Sequence, residues 1–268
     1  MNNVNQTLYI PLYGKSYVSK KGLFLKDKKA EEIWEKEQFP LKGKSKSKWL
    51  AYYMGIRAAV FDDWLREQLE KMEDAVVIHI GCGMDSRVLR VGVGNCKWYD
   101  VDFPDVIEER KRYFAESSSY QMISADVTQD GWIEEIGASG QLQNKAVIVI
   151  MEGVSMYLSG AELSGLLRVL KNNFEEVVLL MDCYTTFAAK MSKYKNPIND
   201  VGVTKVYGLD DPKTLEAGSF RFVKEYCMTP QCYIEQLSGF EKTVFEKLYA
   251  GKMSEKLYRL YEFRSVKE

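Results

Sequence analysis

The residues best suited to chemistry in this chain gather around one Gly-x-Gly turn. The apolar run Val76-Val-Ile-His-Ile80 leads straight into Gly81-Cys82-Gly83 and then Met84-Asp85-Ser86-Arg87. Glycines there let a ligand approach the backbone, and the carboxyl end of a first strand is where open α/β sheets bind ligands. The next run, Lys97 to Val101, carries Asp100 and ends beside Asp102. These carboxylates lie about 20 residues past the glycines, the separation that brings an acid to the two hydroxyls of a ribose. A dinucleotide turn needs a third glycine at position 86, so that a pyrophosphate can sit on the helix N-terminus. Position 86 is Ser, and an adenosyl ligand without a pyrophosphate fits better than NAD.

Two further strand ends carry acids. Ser124-Ala-Asp126-Val127 offers Asp126 to an adenine amino group and the Val127 N–H beside it, or equally Asp126 as the cap of a following helix. Val149-Ile-Met-Glu152-Gly153-Val-Ser-Met-Tyr157 sets an acid and an aromatic over the same edge. A carboxylate at the end of an apolar strand is costly to desolvate alone, so Glu152 calls for a cation. Tyr157 borders either an acceptor or the core. His79 is the one histidine and sits among apolar neighbours, which leaves no two-histidine metal site and no triad with an exposed base. Cys82, Cys96, Cys183, Cys227 and Cys232 form no CxxC pair; odd in number, they read as reduced thiols.

Short apolar runs alternating with longer amphipathic ones must position these groups. Strands are predicted at 76–80, 97–101, 121–124, 146–151 and 177–182, with helices at 86–91, 104–115, 129–136 and 160–172 between them. Such alternation builds an α/β fold, a mostly parallel sheet with helices on both faces. Two helices, 27–36 and 47–71, precede the first strand. Residues 183–212 read as irregular, and 220–228 and 257–264 close the sheet as an antiparallel pair, giving seven strands. Residues 1–75 form a helical cap within the same domain, and 76–268 form the core.

Composition narrows the function further. The 268 residues are 46% apolar and 28% charged, with 37 Lys and Arg against 38 Asp and Glu. That balance provides no basic field for nucleic acid, and the alternating charges of Lys42 to Lys48 read as a solvated loop. No run reaches the ~18 apolar residues of a spanning helix, and the first residues lack signal-peptide character, so a cytoplasmic protein without a membrane partner is expected.

Three runs in this order, Gly81-Cys-Gly-Met-Asp-Ser-Arg87, Tyr99-Asp-Val-Asp-Phe-Pro104 and Glu152-Gly-Val-Ser-Met-Tyr-Leu158, resemble the leucine carboxyl methyltransferase family, in particular its bacterial polyketide O-methyltransferase branch. The resemblance implies a Rossmann-like class I methyltransferase fold that uses S-adenosylmethionine. It implies Gly81 and Gly83 against the cofactor, Asp102 helped by Asp100 on the ribose, and Asp126 with Val127 at the adenine. Glu152 would face the amino-acid portion, and Arg57 would pair with the methionyl carboxylate. Lys15 resembles a basic position in the segment that folds over the site. Arg87 follows the bacterial branch and either contacts the cofactor or pairs with a neighbouring acid such as Asp85 or Asp102. Ser86 replaces a usual threonine, and Cys82 a usual alanine.

The implied reaction is in-line methyl transfer to the carboxylate or hydroxyl of a small molecule, driven largely by alignment of the two reactants. A protein C-terminal carboxylate is the alternative acceptor, and a nicotinamide-dependent oxidoreductase the alternative enzyme. The acceptor pocket is expected between the N-terminal helices and residues 185–208, where Phe187, Met191, Tyr194 and Tyr207 either line it or cover the sheet.

Overall fold

Five of the apolar runs become parallel strands: β1 Val76–Ile80, β2 Lys97–Asp102, β3 Tyr120–Ser124, β4 Ala146–Met151 and β5 Glu176–Tyr184. Each lies within two residues of its predicted bounds. Every residue of β1 is buried, and all but the first of β4 and β5, as strands covered on both faces require. The structure, a computed structural model, describes residues 5–41, 43–72, 74–129, 131–137, 145–195, 205–216 and 220–266. Two later strands, β6 Phe220–Tyr226 and β7 Tyr258–Ser265, pair antiparallel, and β7 inserts between β5 and β6. The sheet order is β3-β2-β1-β4-β5-β7-β6, so the direction of winding reverses between β1 and β4. That reversal opens a crevice at their carboxyl ends, where the register sets Ile80 beside Met151 and hence the glycine turn beside Glu152.

Helices cover both faces. α1 Tyr9–Lys20, α2 Lys28–Glu37 and α3 Lys48–Lys71 precede the sheet; α4 Arg87–Val91, α5 Pro104–Lys111, α6 Trp132–Gly137, α7 Gly160–Asn173 and α8 Thr186–Lys195 follow the parallel strands; α9 Gln231–Ile234, α10 Gly239–Leu248 and α11 Lys252–Glu255 lie between β6 and β7. Side-chain caps start the main ones. Asp27 accepts from the Ala30 N–H of α2, Ser47 from the Trp49 N–H of α3, and Ser159 with Glu162 forms a capping box on α7. The N-terminal helices share one apolar core with a sheet face: Leu12, Tyr52, Phe61 and Trp64 belong to the same cluster as Val77, Trp98, Ile148 and Val178. The opposite face packs Ile78, Val149 and Leu179 against Leu163, Leu166 and Leu170 of α7.

Two helices differ from expectation. α1 escapes a periodicity reading because it is buried nearly all round, with Lys15, Ser16 and Ser19 buried beside Ile10, Leu12 and Val18; a helix enclosed on all sides shows no polar stripe. α8 occupies part of the stretch read as irregular. The Lys-rich run forms a 3-10 turn, Gly43–Lys46, with Lys44 and Lys46 exposed; Lys42 lies outside the described residues. Among the described residues no helix is long and apolar enough to cross a membrane, and no three His, Cys, Asp or Glu side chains group as a metal site requires.

Candidate functional site

A cavity of about 860 Å³ opens over the carboxyl ends of β1, β2 and β4 and runs beneath α1 and α3. Its sheet end is built on the glycine turn. Gly81 and Gly83 both adopt positive φ, 65° and 50°, which side-chain-bearing residues enter only with strain. At Gly81 a Cβ would stand 2.3 Å from Val154 Cγ2, so the turn admits no larger residue without displacing the chain after β4. Asp102 at the end of β2 accepts the Gly83 N–H at 2.7 Å and the Phe103 N–H at 2.8 Å. Burial holds its carboxyl above the usual range against the pull of these donors.

Glu152 and Arg57 meet at the floor of the cavity. Arg57, from the middle of α3, donates through Nε to Glu152 Oε1 at 3.1 Å and through Nη1 to Asp182 Oδ2 at 2.9 Å, which leaves Nη2 without a partner among the described residues. Arg87 Nη2 closes on Glu152 from the other side. Burial pushes the Glu152 carboxyl up, but the two guanidiniums prevail and hold it at about 2. The cation that Glu152 demands is thus met first from within the protein. Lys15 of α1 lies 3.2 Å from Asp85, and burial of Asp85 is overcome by Arg87, Arg90 and Lys15, which keep it well below the usual range.

Gly81, Gly83, Asp102, Asp126, Val127, Glu152, Arg57, Lys15 and Tyr157 all line this one cavity. Asp126 also accepts from the N–H and Oγ1 of Thr128, so its carboxyl fixes a turn; α6 begins only at Trp132, and the helix-cap alternative falls away. Two residues are corrected. Asp100 is fully buried behind the turn and does not line the cavity; Arg110, Tyr120 Oη and Trp98 Nε1 occupy its carboxylate. It sits two residues inside the sheet edge, in register with His79 of β1 and Met122 of β3. Arg87 is likewise fully buried and off the wall, paired with Asp62, Asp85 and Glu152; of its two readings the ion pair holds, with Asp85 but not Asp102. His79 borders the glycine turn, with Nδ1 3.3 Å from Asp100 in poor hydrogen-bond geometry and Nε2 3.4 Å from Arg87.

The other end of the cavity is aromatic and apolar. Tyr53, Tyr157, Tyr184 and Tyr258 line it with Trp49, Met156 and Met191. Tyr184 and Tyr258 meet edge to face at 4.6 Å, and Tyr53 Oη bonds Ser254 Oγ at 2.7 Å. Burial pushes the hydroxyls of Tyr53, Tyr157 and Tyr258 above their ordinary range. Of the four residues expected from the insert, Met191 lines the cavity, Phe187 points to solvent at 56% exposure, Tyr207 is off the wall, and the Tyr194 side chain lies outside those described. Sequence reasoning missed Asp182, Tyr53, Tyr184, Tyr258 and Lys44. Asp182 carried a usable signal, an acid near the carboxyl end of an apolar strand, as at Glu152.

The chain is similar to known proteins. The family profile of leucine carboxyl methyltransferases matches residues 6–171. A tetracenomycin polyketide synthesis O-methyltransferase of Streptomyces glaucescens is 31% identical over 192 residues, 70% of this chain and 69% of its own. An S-adenosyl-L-methionine-dependent methyltransferase of Gibberella zeae is 29% identical over 65% of this chain and 61% of its own. Among solved structures, a methyltransferase of Anabaena variabilis superposes with a TM-score of 0.53 at 11% identity, covering 79% of this chain and 85% of its own. The magnesium protoporphyrin IX methyltransferase of Synechocystis gives 0.51 at 12% identity, covering 90% and 100%. At such identities the likeness is one of fold: the Rossmann-like class I methyltransferase sheet.

Proposed function

This chain belongs to the leucine carboxyl methyltransferase family, and on that premise we propose that it methylates the carboxylate of a small, largely apolar aromatic molecule. It is an S-adenosylmethionine-dependent methyltransferase, and the nicotinamide alternative drops out with the family. The residues present fit the cofactor: Gly83, at positive φ, bares backbone on the cavity wall, and each Asp102 oxygen, holding one N–H, keeps a lone pair for a ribose hydroxyl. When bound, S-adenosylmethionine supplies an electrophilic methyl group on a sulfonium. In this reading Gly81 and Gly83 bring backbone against it, Asp102 holds the ribose, and Asp126 with Val127 borders the adenine. Glu152 takes the ammonium, while Arg57 Nη2 and Lys15 take the methionyl carboxylate. Residues 1–75 act as the cap that closes this site, and 76–268 as the core that binds the cofactor.

The observation that favours a carboxylate acceptor is the absence of an available base among the described residues of the cavity wall. Asp85, Asp102, Asp126, Glu152 and Glu162 line it, and each is engaged by a cation, an N–H or a hydroxyl; His79 lines it too, but is 1% exposed beside the glycine turn, with Nε2 3.4 Å from Arg87 and Nδ1 3.3 Å from Asp100. The tyrosine hydroxyls of Tyr53, Tyr157 and Tyr258 are raised, not lowered. A phenol would need its proton removed; a carboxylate arrives ionised at neutral pH. Lys44, exposed and without a partner among the described residues, stands on the cavity wall, where it draws in an anion. Tyr53, Tyr184, Tyr258 and the methionines then hold the apolar body of the acceptor.

The test is methyl transfer from labelled S-adenosylmethionine to aromatic carboxylic acids, to matched phenols and to a peptide with a free C-terminus. Label in the aromatic acid that is released as methanol by alkali is the expected result. Label confined to alkali-stable ethers overturns the carboxylate reading, and label confined to the peptide overturns the small-molecule one.

A further inference from the structure

Nine charged side chains form one connected set of ion pairs at the cofactor end of the cavity. Lys15, Arg57, Arg87 and Arg90 supply the cations, and Asp27, Asp62, Asp85, Glu152 and Asp182 the carboxylates. Every one of these side chains is at most 6% exposed. Among the described residues the set is therefore one positive charge short, and a buried charge without a counter-ion is costly. Lys15, Arg57, Asp85 and Glu152 face the cavity, so a ligand can correct the deficit directly.

We propose that Asp182 is a positioning residue that tunes the site to the charge of its cofactor, favouring the sulfonium form over the neutral thioether left after transfer. The proposal rests on the cofactor reading above. Asp182 is fully buried behind the wall, and two cavity-lining groups hang from it: Arg57 through Nη1 and Gly153 through its N–H, at 2.6 Å. Among the described residues Arg57 is its one ion-pair partner and is shared with Glu152. In S-adenosylmethionine the ammonium and carboxylate cancel, and the sulfonium leaves a net charge of about +1 that closes the deficit. On transfer the methyl–sulfur bond breaks, its electron pair stays on sulfur, and the methyl bonds to the acceptor oxygen. The positive charge that Asp182 helped to hold is then gone, and the product is held less well than the substrate.

Calorimetric titration of wild type and Asp182→Asn with S-adenosylmethionine and S-adenosylhomocysteine tests this. Asparagine keeps the shape and, through its one amide oxygen, the Gly153 N–H, but turns an NH2 toward Arg57 Nη1; Asp182→Glu, which keeps the charge while disturbing the same two contacts, is therefore titrated beside it and should leave the ratio near that of wild type. The ratio of the product's Kd to the cofactor's is expected to fall about tenfold, the order that one nearby unit charge exerts inside a protein. A parallel change in both Kd values, with the ratio unmoved, marks a merely structural role and overturns the proposal. Failure of wild type to bind either ligand overturns the cofactor reading and the proposal with it.

Should neither variant fold, wild type is titrated at one pH with S-adenosylhomocysteine and with an analogue in which a methylated, protonated nitrogen stands in place of the sulfur. Tighter binding of the cationic analogue supports the charge mechanism, and equal binding overturns it.

Discussion

The two ends of the cavity are built on opposite principles. The cofactor end is a lattice of buried ion pairs in which Arg57, Arg87, Lys15, Glu152 and Asp182 hold one another at fixed distances. The acceptor end is a loose wall of tyrosines and methionines, some of it open to solvent, as at Met191, 45% exposed. Charges demand partners and geometry, whereas apolar walls tolerate change of shape. One end therefore suits a single ligand of fixed charge, and the other suits acceptors that vary within a class.

Substitutions sharpen that contrast. Arg57→Met leaves Glu152 and Asp182 buried beside a neutral side chain and is expected to cost about 3–5 kcal/mol of stability, read by denaturant unfolding. A loss below about 1 kcal/mol would show that the lattice is not held by its charges. Gly81→Ala combines a left-handed backbone with a Cβ 2.3 Å from Val154; about 2–4 kcal/mol is expected, partly restored by Val154→Ala. No restoration would place the whole cost in the backbone.

Acid probes the same lattice. Burial opposes ionisation of Glu152 and Asp100, but Arg57 with Arg87, and Arg110, prevail and hold both at about 2, below their values in the unfolded chain. The folded protein then binds those protons less tightly than the unfolded one. Their stabilisation is present above about pH 4.5 and is lost as pH falls toward 2. Asp102 and Asp182, raised in the fold, run the other way and partly offset the loss. Unfolding free energy measured from about pH 6 to pH 3 should therefore fall most steeply below 4.5; a rise toward pH 3 would give control to the second pair. At the acceptor end, Met191→Ala should change stability by less than about 0.5 kcal/mol and leave cofactor affinity intact while raising KM for the acceptor. A loss of cofactor affinity would join the two ends that the structure keeps apart.

The same contrast governs what the sequence discloses. The glycine turn, Asp102 and Glu152 are legible because each sits at a strand end fixed by local pattern. Spacing does not separate Asp100 from Asp102, two residues apart on one strand; only the sheet edge does, leaving one inside and one over the cavity. Of the partners of Arg87, Asp85 is two residues away and open to a sequence reading, whereas Asp62 on α3 and Glu152 after β4 are brought to it by tertiary packing that no window of sequence shows. The tyrosine wall draws on α3, the turn after β4, β5 and β7, with no shared motif. α1 stays hidden because its burial on nearly every side erases the period by which helices are read.

The place of β7 has a consequence for how the chain comes to be folded. Residues 258–265 insert between β5 and β6, so during synthesis the outer edge of β5, apolar from Val177 to Met181, waits unpaired while some 70 later residues leave the ribosome. An unpaired apolar edge is a template for the wrong strand. Tyr258, a wall of the acceptor end, arrives with the strand that covers it. The chain thus completes the tyrosine-lined end of its cavity at the moment it covers that edge, and conditions that slow this last pairing should trade yield of active protein for aggregate.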